Sequence, residues 1–478
     1  MNARRLAIRK MIYFALVALL LFPLVHVGAP ATGPSSGGQL AQVRAEHQLG
    51  QTQLGEVDLA GESIRLGSLG LHGIASLALW NQVHEYRKTE NWPALETTLN
   101  QLVSLTPNYV NIWKFQAHNL SFNLAAEVDD YRRKYVWVKK GIDFLKRGHQ
   151  YNQNDPRMLY DIGWFTCQKI GNSDERKQFR RMYYDEEQRD NWLAGKEWFL
   201  RAQRLVDDSG RPFPGMSQPV FHWHPAMAQI YFAKALEEDG LPDPDATMTP
   251  AAQKAAAEKA AAAWQQAWRT AAYDLWEGPE SFGERAFDIG QAMTVRANEL
   301  DEQSKRLDDA VERLVAIVPD QVERLLKERQ DELLDEEREA IKVAPEARSG
   351  VQKEWVRSAL ARLLLLHQLA EQAPPDRQIE ARRLADDGRL AHFKAEAIER
   401  LREPVNFESW KVRCRAEAHE LGLAARLRLD EARRARRQGR LAPAKELFLQ
   451  AFDNWHALAE VMPAVRENLG LADEMLDA

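Results

Sequence analysis

Through most of the chain, apolar residues fall three, four and seven positions apart, the spacing that gathers them on one side of an α-helix. After residue 72, strand-like alternation bounded by turn residues is almost absent. Helix stops and starts are frequent instead. Thr106-Pro107-Asn108, Asn154-Asp155-Pro156 and Met462-Pro463 each end one helix or begin the next. The stretch ENWPALETTLNQLVSLTPN, residues 90–108, shows the whole pattern. Pro93 suits a first helical turn, where its missing N–H is not needed. Leu95, Leu99 and Leu102 form one apolar stripe, and Pro107 prevents continuation. Residues 74–88 make the preceding helix, with Leu79, Val83 and Tyr86 at the same spacing. The link between them is short, so the two helices should pack antiparallel. Neither covers its stripe alone. Each hairpin therefore needs neighbours, which is the physical logic of a helical repeat. The expected fold is all-α.

These residues resemble the tetratricopeptide repeat, a 34-residue helical hairpin. Leu79, Val83, Tyr86, Leu95, Leu99, Leu102 and Pro107 fall on its recurring places, and Trp113 and Ala117 open the next unit. Gly141, Leu145 and Gly148, then Gly163, then Gly195, Phe199 and Ala202 continue it more loosely. Near the C-terminus, RRQGRLAPAKELFLQAF sets Gly439, Ala444, Phe448 and Ala451 as the pattern asks. The chain also resembles bacterial membrane-anchored proteins of this repeat-like kind. The resemblance implies an α-solenoid of antiparallel hairpins and a non-catalytic role in protein–protein interaction. It implies an inner groove lined by Leu77, Trp80, His84 and Arg87, then Asn111, Lys114, His118 and Ser121. In that groove Trp80 is an aromatic anchor. Arg87 and Lys114 pair with a carboxylate of an extended peptide, and Asn111 and His118 donate hydrogen bonds.

The N-terminus adds a membrane. Arg4, Arg5, Arg9 and Lys10 precede the apolar residues 11–28, and no formal charge follows until Arg44. A helix of that length reaches across a bilayer core of about 30 Å. Its basic flank stays in the cytosol and the body is exported. A cleaved signal peptide, with Ala29-Pro30-Ala31 as an A-x-A match, is the other reading, and it too exports the body. On this reading the chain divides into a cytosolic basic segment (1–10), a transmembrane helix or signal anchor (11–28) and a Gly/Ser/Gln-rich flexible tether (29–71). Tetratricopeptide-like repeats (72–208) follow, then a loop-rich insertion with Ala-rich helices (209–300), long charged helices (301–415) and a C-terminal repeat-like hairpin (416–478).

Composition narrows the function classes. The 478 residues are 45% apolar and 28% charged, ordinary for a chain that buries a core. The formal charge of −6 argues against nucleic acid as the main partner. Cys167 and Cys414 lie far apart and read as buried free thiols. His222 and His224 in FHWHP sit on one side of an extended chain, but no third or fourth zinc ligand is near. Residues 129–148 interleave Arg132, Arg133, Lys134, Lys139, Lys140, Lys146 and Arg147 with Tyr131, Tyr135, Trp137 and Phe144. A single-strand platform needs both types, yet the aromatics also have helical spacing and read as core. Arg433, Arg437 and Arg440 line a second basic face, with Ala425, Leu429, Ala432 and Ala435 as its buried side. No P-loop, G-x-S-x-G or H-E-x-x-H is present. The expectation is a scaffold without cofactor or metal, whose partners are proteins or peptides of the cell envelope. An enzyme with a metal or carboxylate site, or a polyanion binder using the basic faces, is the alternative.

Overall fold

The structure, a computed structural model, describes residues 38–46, 72–240, 249–363, 365–468 and 470, with isolated positions 13, 16 and 19. Of the apolar 11–28 segment, Tyr13, Leu16 and Leu19 are described, helical and exposed; the rest lies outside the described residues. Among the described residues, no helix is long and apolar enough to cross a membrane. The fold is predominantly helical and forms two compact units, Met1–Pro214 and Gly215–Ala478.

In the first unit a short helix α1 (Gln39–Glu46) occurs within the stretch expected to be a tether. Then come α2 (His72–Lys88), α3 (Trp92–Leu105), α4 (Val110–His118), α5 (Tyr131–Tyr151), α6 (Pro156–Gly171), α7 (Arg176–Glu187) and α8 (Asn191–Ser209). Helix α2 packs on α3, α4 on α5, and α6 on both α5 and α8. The boundaries of α3 follow from its residues. Asn91 accepts from the Ala94 N–H, Pro93 occupies the first turn, and the Thr106 hydroxyl donates to the Leu102 carbonyl at 2.9 Å. Leu95, Leu99 and Leu102 are fully buried, each contributing about 1.5–3 kcal/mol as an upper figure. Pro107 does more than stop the helix. Its carbonyl accepts from Trp113 Nε1 at 2.7 Å and Asn152 Nδ2 at 2.9 Å, tying this hairpin to the next. Val83 and Trp113 are fully buried, while Leu79 and Tyr86 pack half-buried against the same core.

Two close approaches use glycine. A Cβ at Gly141 on α5 would stand 2.0 Å from Ser121 Oγ and 2.8 Å from the Ala117 carbonyl. A Cβ at Gly195 on α8 would stand 2.2 Å from Cys167 Sγ and 3.0 Å from the Gly163 carbonyl of α6. Backbones meet there at distances that admit no side chain.

The second unit begins with α9 (Gln218–Asp239), which replaces much of the expected loop-rich insertion. Its prolines read as breakers in the sequence, but Pro219 lies in the first turn, where it fits. Pro225 is carried inside the helix. Helix α10 (Pro250–Ala272) is the alanine-rich one, and its inner side carries buried Trp264 and Trp268. A hairpin, β1 (Phe287–Gly290) and β2 (Met293–Val295), departs from the all-helical expectation. Gln291 and Ala292 turn it with φ of 54° and 56°, the left-handed backbone that tight hairpins require. Strands of four and three residues are too short for alternation to register in a sequence.

The charged region also differs from the expected long helices. It divides into α11 (Leu300–Ile317), α12 (Pro319–Glu328), α13 (Asp335–Lys342), α14 (Gly350–Arg362), α15 (Leu366–Glu371) and α16 (Gln378–Arg402). Pro319 stops the run after α11. Val311, Leu314, Leu326, Leu360, Leu365 and Leu369 are fully buried together, so this charged stretch has a core of its own. Helices α17 (Phe407–Ala418), α18 (Glu420–Arg437), α19 (Leu441–Val461) and α20 (Ala464–Glu467) complete the unit. Gly439 makes the α18–α19 turn at φ 72°, and Ala444 and Ala451 are buried; Phe448 stays half-exposed beneath the Arg436 guanidinium. Cys167 and Cys414 are free and fully buried, one in each unit.

Candidate docking face

In the first unit, α2, α4 and α6 share one face. The Trp80 ring of α2 meets Phe115 of α4 edge-on at 5.7 Å and lies 6.0 Å from His84. The Arg87 guanidinium is 5.8 Å from the same Phe115 ring. Helix α4 ends in a π-helical turn, Asn119–Leu124, which carries Phe122 towards α6. His118 stacks on Phe122 at 4.1 Å, and Trp164 of α6 lies parallel to it at 6.3 Å. Lys169 Nζ sits 3.1 Å from the Phe122 ring centre. Lys114 Nζ reaches Asp161 Oδ1 at 3.0 Å.

Trp80, His84, Arg87, Lys114 and His118 are thus brought together. Asn111 is exposed and makes a long 3.5 Å contact with Tyr109, and Leu77 is exposed without joining the aromatic line. Ser121 differs from its expected groove position. It is buried and donates to the Val138 carbonyl at 3.3 Å, because the π-helical turn rotates it towards α5.

The charges on this face are unequal in kind. Lys114 is already paired, and Asp161 beneath it is buried, which holds its carboxyl above the usual range despite the lysine. Asp161 Oδ2 has no hydrogen-bond partner among the described residues. Lys169 has no carboxylate within ion-pair distance among the described residues, and burial pushes its amine down to about 8. His118 is lowered by burial, then by Lys169 and Arg87. Phe115, Phe122, Trp164 and Lys169 are absent from the sequence-derived groove. Phe115 and Phe122 belong to α4 and its π-helical turn, Trp164 and Lys169 to α6; that turn and the long α5 break the 34-residue step that located the others.

The other candidates resolve differently. FHWHP is helical, so His222 and His224 point to different sides of α9 instead of sharing one. Both are buried; His224 Nδ1 is 2.6 Å from the Val220 carbonyl, and burial lowers its pKa. Among the described residues no group of three metal-ligating side chains occurs. On α5, Lys134 pairs with Glu175 at 2.5 Å, and Lys139 and Lys146 meet Glu187 at 2.6 and 3.6 Å. Arg132, Lys140 and Arg147 lie over Tyr131, Trp137 and Phe144 of their own helix. The basic stretch is therefore largely compensated. Arg433, Arg437 and Arg440 are exposed, and Ala425, Leu429, Ala432 and Ala435 form the buried side beneath them.

A carboxyl pair in the second unit was missed at the level of sequence. Glu417 of α17 takes Arg426 Nε at 3.0 Å, with Arg413 Nε 3.9 Å away. Glu237 of α9 accepts from Trp268 Nε1 at 2.7 Å and lies 3.9 Å from Arg426. Burial, then the Glu417 charge, push Glu237 up to about 8. Glu417 is fully enclosed, and through Arg426 the pair clasps α9, α17 and α18. Compared with protein-family models, curated proteins and solved structures, the chain matches none.

Proposed function

We propose that the first unit is a tetratricopeptide-like docking module in a non-catalytic scaffold, and that α2, α4 and α6 line its groove. The observation that carries this reading is the two ring pairs Trp80–Phe115 and Phe122–Trp164, which link α2 to α4 and the end of α4 to α6, with Arg87 and Lys169 beside them. Half-exposed aromatics with adjacent cations are the composition of interaction hot spots. The apolar 11–28 segment anchors the chain, with its N-terminus cytosolic and its body exported. The partners are then envelope proteins or peptides, met at a raised effective concentration near the membrane.

Benzoyl-phenylalanine in place of Trp80 or His84, irradiated in native membranes, tests this. Crosslinks to a discrete partner at these positions, and none from Arg133 on the outer side of α5, are expected. Equal labelling at all three positions removes the docking face. Charge reversal at Arg87 should also abolish capture of that partner.

A further inference from the structure

Helix α19 has two apolar sides. Ala444, Ala451, Trp455 and Leu458 are buried against the rest of the second unit. On the other side Leu441, Leu449 and Phe452 stand 69%, 49% and 40% exposed, with half-buried Phe448 at their edge. Lys445 and His456 complete that side, so its residues recur three and four apart. They run along roughly 22 Å of helix. A surface helix normally turns polar residues to water. An apolar stripe rimmed by charge instead marks an interaction surface.

The charges around this stripe are divided along its length. Residues 436–445 carry Arg436, Arg437, Arg440 and Lys445 and no carboxylate. Residues 446–467 carry Glu446, Asp453, Glu460 and Glu467, against Arg466 and His456. Arg436 lies over Phe448, Arg440 turns to Gln438, and Glu460 reaches His456 at 3.6 Å. Arg437, Lys445, Asp453 and Glu467 are exposed and have no ion-pair partner among the described residues. Turned end for end, such a helix is complementary to itself.

We propose that the outer side of α19 pairs with the same helix of a second copy of this chain, antiparallel about a two-fold axis at Phe452. The two Phe452 rings then meet, and Leu449 and Phe448 of each copy close around them. Lys445 stands seven residues before the axis and Glu460 eight after it. At a helix spacing of about 8–10 Å, each lysine therefore faces the other copy's glutamate, and the symmetry makes that contact twice. The arginine-rich turn of each copy lies by the acidic far end of the other. This self-matching order of charge is what identifies the occupant as a second copy. The pairing belongs to the second unit and does not depend on the docking reading of the first.

Benzoyl-phenylalanine at Phe452 of the full-length chain, irradiated in cells, should give a product of twice the chain mass that contains this chain alone. The same residue at exposed Ile379 of α16 should give none. Two differently tagged copies, co-expressed and solubilised together, should co-purify. Lys445→Glu in both copies, or Glu460→Lys in both, sets like charges opposite each other twice and should lower recovery about tenfold. Lys445→Glu in one copy with Glu460→Lys in the other makes both contacts attractive again and should restore the pair. Both side chains are exposed, so these variants should fold. Removing residues 469–478 should change nothing. A monomer alone, or a crosslink from Phe452 to a different protein, overturns the proposal. So does a mixed pair recovered no better than the single variants. Pairing that appears only once residues 469–478 are removed assigns the stripe to those residues and overturns it as well.

Discussion

At Gly141 and Gly350 the same substitution should have opposite effects. Ala at 141 would press its Cβ on the Ala117 carbonyl, a backbone atom that cannot rotate away. Helices α4 and α5 would have to separate, at a cost of about 1–3 kcal/mol. A Cβ at Gly350 meets nothing within 4 Å, and helix propensity there favours alanine. Thermal melts should show Gly141→Ala well below the parent and Gly350→Ala at or above it; equal melting of both would refute the close approach. Glu237 makes a pH prediction. Its folded carboxyl is raised to about 8, so the unfolded chain ionises first. Stability is therefore fully present below the ordinary glutamate range and is lost as pH climbs towards 8. Glu237→Gln should flatten that slope and stabilise the protein at alkaline pH, read by urea denaturation at pH values on either side. Trp80, His84 and Arg87 were legible as one side of a helix because they stand four and three residues apart. Glu237 and Glu417 were not, since nothing in one sequence marks two distant carboxylates as neighbours.

Among the elements, α3 shows what local signals can specify. Its cap, its leucine stripe and its terminating proline all agree, and the helix lies where they place it. Helix α9 shows the opposite case. Prolines that read as loop occupy a first turn and a helix interior, and tertiary burial of His222, Trp223 and His224 holds them there. The hairpin β1–β2 escaped because its strands are too short to show a period. Helix α8 offers a direct test of capping. Asp190 accepts from the Trp192 N–H at 2.8 Å and from Arg180 at 2.9 Å. Asp190→Asn keeps an oxygen for the cap and loses the charge; Asp190→Ala loses both. The alanine variant should be the less stable by about 1 kcal/mol in chemical denaturation. Identical midpoints would show that the cap contributes nothing.

For the whole molecule, helical class was legible from periodicity alone, since each amphipathic stripe in the first and last hairpins found a partner. The extent of folding in the middle was not. High charge in residues 301–415 concealed a compact leucine core, because the buried positions are diluted by solvated ones at every turn. The two cysteines bear on this scale. Burial pushes both thiols up, so neither forms a ready thiolate while its surroundings stay closed. Iodoacetamide should therefore mark Cys167 only when the first unit opens, and Cys414 only when the second does. Digestion and mass spectrometry of the alkylated peptides would then time each opening separately. The unmodified chain carries its own pair of clocks, one wound into each half.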